Sequence, residues 1–524
     1  METVTISQAE YQKFKAQEQY ICELEQQKKF LQEQLHLLRK AQFGSRSERA
    51  IYLKQLSLEN LFDEVEVFSD PELEEPKLEE VVQVPAHTRR KKSVKEQLPK
   101  EIPVVERHHY VDEAGRTCPH CSAELVEIGT EIRETLGMAP AKIFVIRDVA
   151  HIYACKECEK EAEAVTIRKA TLPAAVIPGG MASPEAIANI INDKFVQGTP
   201  LYRQEQYWNR QNVMLSRQTM SNWLHYSVEN YLKYIYDKLH QDLLKETILH
   251  ADETELQVLR EEGKSPQSKS YMWLYRTGVT SATPIVLFRY ERDRRHDRPK
   301  DFLNGFRGYL HSDGYEAYHK LEGVVSVGCL VHVRRKFVEA VEAAGKSKGS
   351  SNLAGKAVKD LQQIFDWDSS CANMTLEERY QKRLEKQKPF LEAFFDWVES
   401  ISVSEKSALG RARTYALGQK EYVLNVYKDK RLELSNNRAE RTIKPFVIGR
   451  KNWLFANTPK GAEDSAILYS LVETAKETGI DPYQYFIYAL TEAAELRAAD
   501  ECEKIAELTP ANFKKLAKNG SDRG

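Results

Sequence analysis

The 524-residue sequence lacks a long apolar run, and no stretch approaches the roughly 18–20 apolar residues that span a membrane. It also lacks an apolar segment in "METVTISQAEYQKFK", so neither a signal peptide nor a membrane partner is predicted. Excess charge of one sign is missing as well, since the net charge is −2. These absences exclude a polyanion-binding surface spread over the whole chain and favour a cytoplasmic protein.

Cysteine is scarce, but four of the eight cysteines form two tight pairs. "CPHC" contains Cys118 and Cys121, and "CKEC" contains Cys155 and Cys158. Two such pairs supply the four thiolates of a tetrahedral structural zinc site. Because four sulfurs close the site, we expect structural rather than catalytic Zn²⁺, with His120 as a spacer. The other cysteines are scattered, which does not indicate disulfides in a cytoplasmic chain.

Composition and periodicity predict a multidomain α+β protein. The predicted segments are a coiled-coil helix over 1–50, a charged linker over 51–105, the cysteine module over 106–175, a helical region over 176–245, an α/β core formed by 246–340 and 430–490, a helical insertion over 341–429, and a C-terminal helical tail over 491–524.

The N-terminal helix carries about three heptads, with mostly apolar residues at the a and d positions. This pattern predicts a homo-oligomer formed through the coiled coil. The alternative is a helix packed on its own chain. The positions are Ile21, Leu24, Lys28, Leu31, Leu35 and Leu38.

The segment 201–228 predicts a helix, a short turn and a second helix, with Ser216 as the N-cap of the second. Met220, Trp223 and Leu224 would face inward. Arg217, Gln218 and Asn222 would face outward, together with Ser221. Such side chains bind base edges or phosphates, which favours a helix-turn-helix DNA-binding element. The alternative is an ordinary helical hairpin with a polar outer face.

Short β-rich runs begin at residue 246, and two of them share the pattern Leu-His-x-Asp. "TILHADETEL" contains Asp252, and "GYLHSDGYEA" contains Asp313. Short turns between the first three strands favour a meander, with a mixed sheet as the alternative, and "VVSVGCLVHV" is a further strand candidate. The alternatives to a functional role are a solvated strand end for Asp252 and an Asp-Gly turn for Asp313.

Glu440 is the only acidic residue between 435 and 460. A local explanation is a capping box with Asn437 as N-cap. That explanation does not account for the basic residues around Glu440. A lone carboxylate in a basic segment suits a metal ligand beside a phosphate backbone. They include Arg438, Arg441, Lys444, Arg450 and Lys451.

Asp252, Asp313 and Glu440 would repel one another if they met without cations. Two Mg²⁺ or Mn²⁺ ions would outweigh the negative charge, and oxygen ligands suit these metals. Paired metals support in-line displacement at phosphorus. Two aspartates on strands and a glutamate on a late helix predict a ribonuclease-H-like core.

Several blocks resemble the insertion sequence 66 family of bacterial DDE transposases: "HADET", "GYLHSDGY", "HVRRKF", "NNRAER", "GRKNWLFA" and "LYSLVETAKETGIDP". The "FGSRSER" segment and the cysteine module also resemble upstream regions of that family. The resemblance implies that Asp252, Asp313 and Glu440 form the catalytic triad. Ser435 departs from the family's usual Asp, but it is not one of the three acids.

The resemblance also implies binding to double-stranded DNA, both element ends and target, in a nucleoid-associated protein. Small accessory proteins of the same element are expected partners. "VHVRRKF" would line the DNA path through His332, Arg334, Arg335 and Lys336. The function implied is DNA transposition. The alternatives are a catalytically silent DNA-binding regulator and a ribonuclease-H-like nuclease that cuts without joining.

Overall fold

The computed structural model describes residues 143–154, 167–344 and 350–521. The paired cysteines, the heptads of 1–50 and the linker over 51–105 lie outside the described residues, so those predictions stay predictions. Among the described helices, none is long and apolar enough to cross a membrane. β1 (Ile152–Ala154) and β2 (Ile167–Lys169) form a short antiparallel ribbon.

The first helical region contains α1 (Pro184–Ile191), α2 (Leu201–Arg210), α3 (Arg217–Ser227) and α4 (Lys233–Leu243). Single π-helical turns extend α1 to Val196 and link α3 to α4.

The predicted N-cap of α3 is confirmed, because the Ser216 hydroxyl accepts a hydrogen bond from the Thr219 N–H at 3.1 Å. The predicted faces of α3 are confirmed too. Met220 and Leu224 are buried and Trp223 is partly buried, whereas the opposite face is exposed at Arg217, Gln218, Ser221 and Asn222.

Five strands form one mixed sheet in the order β5-β4-β3-β6-β7. The first three strands pair antiparallel as the predicted meander, and the last two add in parallel beside β3. α5 (Asp297–Phe302) and α6 (Glu316–His319) lie in the connections before and after β6. The strands are β3 (Ile248–Gln257), β4 (Lys269–Thr277), β5 (Val286–Glu291), β6 (Gly308–Ser312) and β7 (Val324–Gly328).

The two Leu-His-x-Asp segments lie side by side in this sheet. β3 and β6 pair in parallel with Leu249 opposite Leu310 and His250 opposite His311. Only glycine fits at position 308, since a Cβ there would lie 2.4 Å from the Thr247 carbonyl oxygen. The repeated sequence pattern is therefore a pair of strands in register, and each aspartate lies two residues after its histidine, just beyond the paired part of the two strands.

The predicted strand "VVSVGCLVHV" is only half correct, because β7 ends at Gly328 and a helix begins at Leu330. Leu330, Val333 and Phe337 recur at helical spacing and are fully buried. Consequently the basic residues of "VHVRRKF" lie on a helix. This helix and the insertion form a second apolar core. Its helices are α7 (Leu330–Ala344), α8 (Ser350–Ser370), α9 (Leu376–Lys382), α10 (Lys388–Ser400) and α11 (Ala408–Leu424).

The described part of the chain after the insertion contains the α-helices α12 (Asn437–Trp453), α13 (Pro459–Thr478), α14 (Pro482–Ala498) and α15 (Pro510–Ser521). α13 covers the edge strand β5, where the Ser470 and Thr474 hydroxyls accept hydrogen bonds from strand N–H groups at 2.7 and 3.0 Å. Gly479 ends α13 with φ +76°, as predicted. α12 packs on β3, and the Arg450 guanidinium lies 3.5 Å from the Thr254 hydroxyl.

Candidate active site

Asp252 lies in the middle of β3, opposite Leu274 of β4, and it is partly buried rather than at a solvated strand end. Burial raises the pKa of Asp252 well above its usual value, and the charges of Glu253, Asp313 and Glu440 raise it further. The three acids predicted from the sequence are therefore close enough to interact electrostatically.

The neighbouring carboxylate of Glu253 is occupied by other groups. It accepts a hydrogen bond from the Tyr318 hydroxyl at 2.6 Å and pairs with the Arg294 guanidinium at 2.8 Å. Successive strand residues point to opposite faces, so Asp252 shares its face with His250 and Thr254. Contacts of those two residues with the α12 segment place Asp252 on the side of the sheet that carries Glu440.

Asp313 directly follows β6, and the turn interpretation describes its local geometry correctly. One carboxylate oxygen accepts a hydrogen bond from the Tyr315 N–H at 3.0 Å, and Gly314 has φ +93°. The Tyr415 hydroxyl of α11 donates a hydrogen bond to the Asp313 carbonyl oxygen at 2.7 Å. The helical insertion thus supports the turn that carries this carboxylate.

Glu440 lies in the first turn of α12, but the capping-box interpretation is wrong. The N-cap is Asn436, and its side chain makes no hydrogen bond to the helix. Arg335 donates to Glu440 Oε2 at 3.2 Å, and His332 Nδ1 lies 3.6 Å from Oε1. Glu440 Oε1 is buried and has no hydrogen-bond partner among the described residues.

The donor set fits a hard divalent metal. Burial and the nearby charges raise the pKa of Asp252, and a buried carboxylate oxygen of Glu440 has no hydrogen-bond partner in the described part of the chain. Both features suit a bound cation. Cys329 and His332 also offer ligand atoms within 4.8 Å of Glu440. Burial raises the pKa of the Cys329 thiol to about 12, so without a bound cation this sulfur is protonated at neutral pH.

The basic residues predicted to line a DNA path have different surroundings. On α7, Arg335 and His332 contact Glu440, whereas Lys336 pairs with Glu339 at 3.0 Å. Arg334 Nε is buried and has no hydrogen-bond partner among the residues described.

On α12, Arg438 pairs with Glu433 at 3.0 Å, and Arg450 reaches Thr254. Arg441 and Lys451 are exposed, and Lys444 is partly exposed; none of the three forms an ion pair within the described ranges. Basic side chains that form no ion pair within the described ranges, on a helix next to the acids, are suited to phosphate contacts.

On α3, the Arg217 guanidinium stacks over the Tyr202 ring at 5.5 Å, and Gln218 donates to Asn222 at 2.9 Å. These contacts hold polar groups on the exposed face of the helical hairpin. They are compatible with DNA binding and equally with an ordinary polar surface.

Several residues around the acids were not predicted from the sequence as part of the site. His250 and His311 are fully buried and stack with ring centroids 4.3 Å apart. Glu433 and Asn436 approach His250 at 3.2 and 3.0 Å. Burial raises the pKa of Glu433, but contacts with His250 and Arg438 outweigh it and hold the pKa well below its usual value. The repeated Leu-His pattern was the available signal for the histidine pair.

Comparison with known proteins agrees with this architecture. A family model described as "Transposase IS66 family" matches residues 179–464, which include all three acids. A model described as the zinc-finger binding domain of transposase IS66 matches residues 116–159, which include the four paired cysteines. A third, described as "Transposase C of IS166 homeodomain", matches residues 30–107.

Two relatives from Sinorhizobium fredii (strain NBRC 101917 / NGR234) extend the match to most of the chain. "Uncharacterized protein y4qI" is 30% identical over 503 residues, which cover 92% of this chain and 88% of the relative. "Uncharacterized protein y4hP" is 27% identical over 509 residues, covering 93% of this chain and 89% of the relative. With a family model that matches more than half of its length, the chain belongs to the IS66 transposase family.

Proposed function

We propose that this transposase-family chain nicks DNA at element ends and joins the freed strand to target DNA. The electrostatic proximity of Asp313 and Glu440 to Asp252 supports this proposal most directly. A five-stranded sheet with three antiparallel and two parallel strands supports a ribonuclease-H-like core.

Asp252, Asp313 and Glu440 would hold two Mg²⁺ or Mn²⁺ ions. When bound, these ions lower the pKa of an attacking oxygen and stabilise the leaving one. In the first step a water oxygen attacks the scissile phosphorus, the bond to the 3′ oxygen breaks, and that oxygen takes up a proton as a 3′-OH. In the second step this hydroxyl would lose its proton and attack a target phosphodiester. A new 3′ oxygen–phosphorus bond forms, the target's own 3′ oxygen–phosphorus bond breaks, and the target 3′ oxygen leaves with a proton as a 3′-OH.

The remaining predictions from the sequence fit the same function. The exposed residues of α3 and the basic side chains of α12 that form no ion pair within the described ranges would contact phosphates and base edges of double-stranded DNA. Cys118, Cys121, Cys155 and Cys158 would hold the structural Zn²⁺ of the matched zinc-finger segment. The N-terminal heptads would pair protomers so that two element ends are held together, with accessory proteins of the element as partners, in the bacterial cytoplasm.

The first test is Mg²⁺- or Mn²⁺-dependent nicking of supercoiled plasmid by the parent and by Asp313→Asn. We expect metal-dependent nicking that the variant loses. Equal nicking by both proteins would contradict the assignment of the acids. No nicking by either protein, with DNA binding retained, would favour the regulator. Capture of a joined product then separates a transposase from a nuclease.

A further inference from the structure

Asn436 occupies the N-cap position of α12, where an asparagine side chain normally binds the helix. Here it makes no such bond, and the residue is fully buried. Its Nδ2 donates instead to the Ala251 carbonyl oxygen at 2.8 Å. Because a carbonyl only accepts, this bond fixes the amide orientation and turns Oδ1 toward His250 Nδ1 at 3.0 Å. The side chain thus joins the start of α12 to β3.

The backbone of Asn436 extends this junction in two directions. Its N–H donates to the Cys329 sulfur at 3.2 Å, and Cys329 directly follows β7. Its carbonyl accepts a hydrogen bond from the Glu440 N–H at 3.2 Å. Ala251, which the side chain binds, immediately precedes Asp252. One residue therefore holds the strand beside the first acid and the helical turn that carries the third.

A buried layer connects the same junction to the second acid. His250 stacks on His311, which lies two residues before Asp313. His250 Nε2 also lies 3.2 Å from Glu433, whose carboxylate pairs with Arg438 on α12 at 3.0 Å. These contacts link β6 to β3, β3 to the segment before α12, and that segment to α12.

We propose that Asn436 is a positioning residue that sets the spacing between the carboxylates of the metal site. This inference rests on the proposed function, because it assumes that the three acids bind divalent metal. Side chains that orient metal ligands from behind change metal affinity without touching the metal. The Asn436 side chain has this relation to Asp252 through Ala251, and its backbone carbonyl begins the helical turn that carries Glu440.

The adjacent residue provides a matched control. Asn437 is the first residue of α12, is partly exposed, and has no side-chain hydrogen bond within the described part of the chain. Asn436→Ser provides a second comparison, because serine is a good N-cap but cannot reach both Ala251 and His250. Serine therefore separates capping of the helix from the connection to the strand.

The experiment measures Mn²⁺ binding to the full-length, zinc-loaded protein by electron paramagnetic resonance of free Mn²⁺, together with the Mn²⁺ dependence of nicking. We expect Asn436→Ala and Asn436→Ser to weaken Mn²⁺ binding about 10–100-fold, as for other partners of metal ligands. Nicking should recover partly at high Mn²⁺. Asn437→Ala should keep the parent affinity within about twofold, because this side chain makes no hydrogen bond within the described residues.

Asp313→Asn distinguishes failure of this inference from failure of the proposed function. If Asp313→Asn loses Mn²⁺ binding while both Asn436 variants keep the parent affinity, the metal site stands and Asn436 serves stability alone. If serine restores what alanine loses, Asn436 acts as a helix cap, which also overturns the inference. Parent-like Mn²⁺ binding by Asp313→Asn would remove the metal site, and the inference with it.

Discussion

The two Leu-His-x-Asp segments have the same sequence pattern but different surroundings. Their histidines stack in register across β3 and β6. Asp252 then continues within a strand that is paired with β4, whereas Asp313 leaves its strand into a glycine turn held by α11. The shared pattern sets the position of each carboxylate relative to its histidine. The elements packed around each aspartate determine how its position is fixed. A rigid strand fixes the first acid, and a turn supported by a distant helix fixes the second.

The largest effect should come from removing either carboxylate. Replacing residues that only orient metal ligands already weakens metal binding or activity about 10–100-fold. Asp252→Asn and Asp313→Asn should therefore each lower metal-dependent plasmid nicking by more than about 100-fold. Initial rates at saturating Mg²⁺ measure this loss. If one of the two variants nicked nearly as fast as the parent, the two Leu-His-x-Asp segments would not have equivalent roles.

Glu253→Gln is the matched control for Asp252→Asn. Its carboxylate is held by Tyr318 and Arg294 on the other side of the strand. We therefore expect nicking within about threefold of the parent, because no ligand is lost, although loss of a buried ion pair lowers stability. A loss of nicking as large as that of Asp252→Asn would exchange the roles of the two acids.

A smaller effect should follow from straining the turn of the second segment. Alanine at Gly314 must adopt φ +93° and brings a Cβ within 2.6 Å of the Gln419 side chain. We expect Gly314→Ala to cost about 1–2 kcal/mol of stability for the left-handed backbone. Displacement of Asp313 should also lower nicking about 10–100-fold. Thermal unfolding and initial nicking rates measure the two effects.

Gly263→Ala separates the effect of backbone strain on stability from the effect of a displaced Asp313 on nicking. Gly263 has φ +73° and open space around its Cβ position. This variant should lose similar stability with unchanged nicking. If both variants lost nicking in proportion to stability, the turn would have no particular role at the site.

The smallest effect concerns the pH dependence of stability without metal. The folded-state pKa of Asp252 is raised above the usual 3.8, first by burial and then by neighbouring acids. The folded state therefore binds the Asp252 proton more tightly than the unfolded state does. The stabilisation that this proton contributes is complete below about pH 4 and is lost as the pH rises through the raised pKa. At neutral pH, Asp252→Asn should melt roughly 2–4 °C above the chelated parent.

Differential scanning calorimetry in a chelator, at several pH values, measures this difference. The gap between variant and parent should shrink toward acidic pH, where both side chains are neutral. Added Mg²⁺ should stabilise only the parent. A gap that does not change with pH would mean that Asp252 is not destabilised in its charged form.

Much of the site followed from local sequence. The carboxylates of Asp252 and Asp313 were predicted from the pattern itself, and Ser216 and Gly479 were predicted from end signals that act within a few residues. Glu440 was selected because it is a lone acid in a basic segment. The helix over "LVHVRRKF" was missed because its valines favour a strand locally, and burial at helical spacing overrides that preference.

The sequence by itself determined the first strands, the helix ends at Ser216 and Gly479, and the types of residue available for metal and phosphate, because these depend on spacing along the chain. Only the tertiary structure decided that His250 meets His311, that Tyr415 supports the turn after β6, and that Asn436 serves β3 rather than its own helix. Those contacts join residues about 60–190 positions apart, and no local preference encodes which distant partner fills a buried hydrogen bond.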